Sequence, residues 1–289
     1  MKKDIMFLLK NLIVYMTTIL VFGVASKMIN GSGNMPQFMI DAYETSIFIK
    51  TNTKTLAIVS LCSVIVVFLL ISFHFIKDGI HNNRIIRGLI YGGSFGIVWF
   101  FGFTEMIIIN HSDKIFYHLR SGVRDLLCLS LFGLTAGLLL CKNDNGKITR
   151  KPSSLLSVIF IGVFFAFFHG IQYYFTFESI SAYQRVSHFT DVLWLLAFGA
   201  WIGFMYYILS PGIKLKNRYL GALFFSYFIF GTDWLLFNLF YNVFLDIPLW
   251  DLFLRCFAGC TGVFIGLVTH EYILSRKSSI LLKDIKTDA

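Results

Sequence analysis

Eight apolar stretches run through the chain, at roughly 7–26, 56–76, 88–109, 125–141, 154–176, 191–209, 219–242 and 252–274. A helix needs about 20 such residues to cross the hydrocarbon of a bilayer. Only 14% of the residues are charged and 56% are hydrophobic, with a mean hydropathy of +0.71. An ordinary soluble domain carries about 25% charged residues. A buried soluble core does not account for that gap, whereas lipid as the solvent does. The fold class that follows is an all-α polytopic membrane protein with about eight transmembrane helices.

The net charge of +9 invites a nucleic-acid reading, and its distribution rejects it. If the N-terminus is cytoplasmic, 17 of the 25 Lys and Arg residues fall in cytoplasmic segments, at 2–10, 77–87, 142–151, 214–218 and 276–286. That bias sets orientation. It predicts a cell-membrane protein with both termini cytoplasmic, whose basic residues lie beside anionic headgroups. The lipid bilayer is the partner implied, and nucleic acid is not. Residues 1–26 also fit a cleavable signal peptide, with a basic start, the apolar run Leu12–Val24 and the small pair Ala25 and Ser26. The five cysteines, Cys62, Cys128, Cys141, Cys256 and Cys260, lie in or beside apolar segments. None shows the spacing of a zinc site or a disulfide framework.

A pattern recurs three times, at 88–141, 154–209 and 219–274. Each unit pairs two apolar segments around a short loop, with a polar residue late in the first segment. These residues are Glu105, His169 and Asp233, spaced evenly by 64. An aspartate opens each second segment, at Asp125, Asp191 and Asp251, and a glycine follows eight residues later at Gly133, Gly199 and Gly259. Such periodicity indicates one supersecondary unit reused, here a transmembrane hairpin. Residues 1–76 form a separate N-terminal hairpin with an external loop at 27–55, and 275–289 form a cytoplasmic tail. Gly133 and Gly137, Gly199 and Gly203, and Gly262 and Gly266 have the spacing that lets helices approach closely in lipid.

An ionisable side chain within hydrocarbon costs at least about 2.5–3.5 kcal/mol on insertion scales. Glu105, His169 and Asp233 lie in the outer half of their segments among apolar neighbours, so they are expected to point inward and share one site. Asp125, Asp191, Asp251, Gln172 and Asn238 form a secondary polar cluster at similar depth. Three readings compete for these residues. The aspartates at 125, 191 and 251 suit helix N-caps or the helix dipole, with Arg124 and Arg255 as ion-pair partners. Two carboxylates and an imidazole suit a pathway for a small polar or cationic ligand. A carboxylate with His169 suits acid–base catalysis on a lipid-linked substrate. A transporter is the favoured function, a membrane-embedded enzyme the alternative, and a non-catalytic accessory, sensor or immunity protein the third. No phosphate loop, GxSxG elbow or HExxH motif is present, and no cofactor or metal site follows from the sequence.

Overall fold

The computed structural model describes residues 2–29, 44–81, 83–108, 115–142, 153–175 and 188–287. Eight long helices follow one another within them. They are α1 (Lys2–Ile29), α2 (Lys54–Ile80), α3 (Arg84–Ile108), α4 (Ile115–Leu140), α5 (Leu156–Phe175), α6 (His188–Leu209), α7 (Arg218–Phe244) and α8 (Leu249–Thr287). No strand occurs among the described residues. Seven of the helices are long and apolar enough to cross a membrane, and α5 contributes a shorter apolar stretch, Leu156–Gln172. Large apolar side chains face outward along the helices, among them Leu8, Leu127, Phe167, Leu220 and Phe257. Exposed apolar surface on that scale is foreign to a soluble monomer, and these segments fit an integral membrane protein.

Glycines set the closest helix pairs. A Cβ on Gly88 or Gly92 of α3 would collide with the Gly133 or Leu129 carbonyl of α4, and one on Gly133 with the Gly88 carbonyl. The backbones of α3 and α4 therefore touch, as small residues permit in lipid. Helices α5 and α6 meet in the same way, with Gly199 against Gly162 and Gly203 against Val158. The glycines of α8 behave differently. The nearest neighbours of Gly262 and Gly266 of α8 are Phe164, Phe165, Phe160 and Ile161 of α5, not the preceding helix α7. Helix α5 is thus held on two sides by glycine seams, and α1 packs on α4 and α2 at the edge.

Cations cap the Leu140 end of α4. Lys77 Nζ donates to the Leu140 carbonyl at 3.2 Å and Arg84 Nη1 to the Leu138 carbonyl at 3.5 Å, where the helix dipole is negative. Nearby, the turn Ser210–Gly212 presses onto α2, and a side chain at Gly212 would strike the Ile76 carbonyl. At the opposite end, a one-turn helix, Ile47–Lys50, precedes α2. Its flank is tied to the α7–α8 connection. Ser46 N donates to Phe244 O at 3.1 Å, Ser46 Oγ to Val243 O at 2.7 Å, and Asp246 N to Glu44 O at 2.8 Å.

Two boundaries differ from the apolar pattern. Helix α4 begins at Ile115, ten residues before Asp125. Its first turns carry His118, Arg120 and Arg124, polar groups that hydropathy reads as loop. Beyond the apolar run, which ends at Leu274, the backbone continues α8 as helix to Thr287. Helix α7 holds a third surprise. Its turns widen to π geometry over Phe224–Gly231 and return to α at Thr232, and π turns of this kind recur at functional sites.

Candidate functional site

Three helices bring charged and polar side chains together at the Ile108 end of α3. Glu105 lies in the last turns of α3 and is buried. His169 and Gln172 stand three residues apart on α5, on one helix face. Arg255 lies one helical turn beyond Asp251, near the start of α8. The α5–α8 seam explains why they meet. Gly259 of α8 faces His169, a Cβ there falling 3.1 Å from His169 Nδ1, and Arg255 lies one turn earlier at the same level.

The geometry centres on one carboxylate oxygen. Arg255 Nη2 is ion-paired with Glu105 Oε1. His169 Nε2 lies 3.8 Å from that same oxygen. The Gln172 side-chain nitrogen lies 3.2 and 3.1 Å from the two His169 ring nitrogens. Aromatic rings wall the group. Phe165 stacks on the imidazole at 4.8 Å, and Trp234 stands edge-on at 6.1 Å. Trp194 Nε1 donates to Thr104 Oγ1 at 3.0 Å, one residue from Glu105. Removing two ions from water is expensive and is repaid only by tight mutual pairing, which Glu105 and Arg255 have.

Asp233 lies in a different setting. It is fully buried at the α-helical restart of α7. Its hydrogen-bond donor is the Trp99 indole of α3, whose Nε1 is 3.2 Å from each carboxyl oxygen. Trp99 in turn packs edge-on against Phe237 and Phe240, at 5.4 and 5.8 Å. Gly102 makes room for this, because a Cβ there would enter the Phe237 ring. The link from Asp233 toward His169 runs through its sequence neighbour Trp234.

The remaining polar residues are spread over several helices. Arg124 grips Asp125 with two bonds, Nε to Oδ1 at 2.5 Å and Nη2 to Oδ2 at 2.9 Å. Because α4 starts at Ile115, Asp125 sits in its third turn. The N-cap reading is therefore corrected for this residue: the helix extends past it into polar sequence. Asp191 and Asp251 are buried in the first turns of α6 and α8, where an acid favours the helix dipole. Arg255, read as a partner for these aspartates, pairs with Glu105. Asn238 donates its side-chain amide to the Trp234 carbonyl at 2.7 Å. At the far end, Glu271 joins His270 at 3.3 Å and Arg218 at 3.2 Å.

Sequence reasoning missed Trp99 and Trp194 as site residues. Their signal was faint: an indole N–H in an apolar segment needs a partner, and polar residues lay at matching depth. Among the described residues, no group of three His, Cys, Asp or Glu side chains is placed to hold a metal ion. No protein-family model matches the chain, and neither a curated protein nor a solved structure matches it.

Proposed function

We propose that the chain is a cell-membrane transporter of a small polar or cationic solute, with Glu105, His169 and Asp233 on the pathway. The observation that carries this reading is Glu105 shared between Arg255 and His169 deep among aromatic side chains. A carboxylate shared between a guanidinium and an imidazole can change partners as a proton reaches the imidazole or a cation arrives. Asp233, which accepts from the neutral Trp99 indole, offers a second acidic station. Asp125, Asp191, Asp251, Gln172 and Asn238 form the secondary polar cluster around them. The arrangement belongs to an eight-span topology with both termini cytoplasmic, an N-terminal hairpin at 1–76 and three hairpins at 88–141, 154–209 and 219–274. Seven long apolar helices and the shorter α5 support that count. The inner bias of Lys and Arg supports the orientation.

The test uses the purified full chain in proteoliposomes loaded with a pH-reporting dye. Alkali cations, divalent cations and small amines are offered in turn. The expected result is a proton or charge signal with at least one of them, lost in His169→Ala and Asp233→Asn while the protein still inserts. Signals that persist unchanged in both variants would overturn the proposal. A reporter fused after Lys283 checks the topology, and activity only in an external form contradicts it.

A further inference from the structure

Helix α7 carries a line of hydrogen-bonding groups that its own packing leaves unused. Trp234, Asn238 and Asn242 recur every four residues and so share one helix face. Trp234 and Asn238 are fully buried. Among the described residues, Trp234 Nε1, Asn238 Oδ1 and Asn242 Oδ1 have no hydrogen-bond partner. The two amides are oriented by their nitrogens, Asn238 Nδ2 donating to Trp234 O at 2.7 Å and Asn242 Nδ2 to Ile247 O at 2.6 Å. Their oxygens are thus left over as acceptors. Native proteins satisfy nearly all of their buried polar groups, with ordered water where protein cannot reach. Three unmatched atoms on one face ask for a common explanation.

The positions supply it. At one end of the line, the Trp234 ring lies 6.1 Å from the His169 ring. At the other, Asn242 is half-buried, two residues from the Phe244 end of α7, where the one-turn helix Ile47–Lys50 lies. Asp233, next in sequence to Trp234, takes no part, because its carboxyl group is engaged by Trp99. The aromatic stack of Phe230, Trp234 and Phe237 explains why a large flat residue stands at 234. It does not explain an unmatched indole N–H, which phenylalanine would avoid, nor two asparagines one and two turns further on.

We propose that this face of α7 is a water lane joining His169 to the Phe244 end of the bundle. Water is the occupant because it both accepts and donates. It accepts from Trp234 Nε1 and donates to Asn238 Oδ1 and Asn242 Oδ1, the mixed set of partners that buried waters use. The lane gives the proposed transport site its access for protons and small hydrogen-bonding solutes, and in that respect it rests on that reading.

Radiolytic hydroxyl-radical footprinting of the unmodified full chain in membranes tests it without a substrate. Radicals form from water in place, so a buried tryptophan beside water is oxidised and a dry one is spared. Trp99 is the internal control, because it is equally buried and its N–H is engaged by Asp233. The lane predicts that Trp234 is oxidised at least about threefold faster than Trp99, read by mass spectrometry of the two peptides. Asn238→Leu should bring the two rates together. If Trp234 reacts no faster than Trp99 in the unmodified protein, the lane does not exist, whether or not the variant folds. A wet Trp234 with a fully active His169→Ala would keep the lane and sink the transport reading. A dry Trp234 with an inactive His169→Ala would do the reverse.

Discussion

Glu105 and Asp233 are two buried carboxyl groups that lie 128 residues apart in the sequence and share little else. Glu105 is held by the charge of Arg255 from α8, and the His169 ring of α5 faces the same oxygen at 3.8 Å. Asp233 is held by a neutral indole N–H within an aromatic cage. The difference teaches that positions matched by sequence spacing need not acquire matching surroundings. What surrounds each residue depends on which helix its own helix is packed against. Helix α8 is seated against α5 by Gly262 and Gly266, and that seating delivers a guanidinium to Glu105. Helix α7 presents Asp233 to α3, where the nearest polar group is a tryptophan.

The sharpest way to break the comparison is Arg255→Ala. It strands Glu105 as a buried charge without its guanidinium, a loss expected to cost about 3–5 kcal/mol, read as a fall in thermal stability of the purified protein. A cost below about 1 kcal/mol would mean that Glu105 needs no more support than Asp233 does. Trp99→Phe is the matching cut on the other side. It removes the donor from Asp233 while keeping an aromatic ring, and should cost about 1–3 kcal/mol. Asp233→Asn sharpens the contrast from the opposite direction. The amide oxygen still accepts from Trp99, so stability should change by less than about 1 kcal/mol, while dye-detected flux is lost. An equally stable and equally active variant would remove Asp233 from the pathway.

The smallest effect belongs to a surface acid that serves as reference. Lys50 Nζ, 2.9 Å from Glu44, holds that carboxyl group below the usual carboxylate range, first by its hydrogen bond and then by its charge. A depressed carboxyl group contributes stability above its unfolded pKa, and the contribution disappears as pH falls through its folded pKa. Glu44→Gln should therefore weaken the protein slightly at neutral pH and make no difference in strong acid. Both residues are exposed, so the change should lie near the limit of detection in a thermal melt. A large loss at neutral pH would show that the clasp between Glu44 and Asp246 depends on this pair.

Much of the architecture was legible in the sequence because lipid imposes a length on each helix. The apolar runs follow α1 to α8 along the chain, and the costly residues within them single out Glu105 and His169, which meet, and Asp233, which meets Trp99 instead. The rest depended on tertiary contact. The apolar run 125–141 is short for a span and extends at its start into residues 115–124, whose His118, Arg120 and Arg124 a hydropathy run passes over. Arg255 could be seen as a cation beside Asp251, but its pairing with Glu105 arises from the α5–α8 seam. Nothing in the Phe224–Gly231 composition announces a widened helix. The glycine spacing identified close-packing surfaces, yet gave no sign that the third pair would face α5.

The central claim is that Glu105 and Arg255, on helices far apart in sequence, act as one buried charged unit at the Ile108 end of α3. A double-substitution cycle tests it most directly, comparing the thermal stability of the parent protein, Glu105→Gln, Arg255→Gln and the pair together. Each single change strands its former partner, whereas the double change strands neither. The expected coupling is at least about 2 kcal/mol, with the double variant more stable than the sum of the single losses requires. Losses that add to within about 0.5 kcal/mol would contradict the claim and leave Glu105 and Arg255 as independent buried groups.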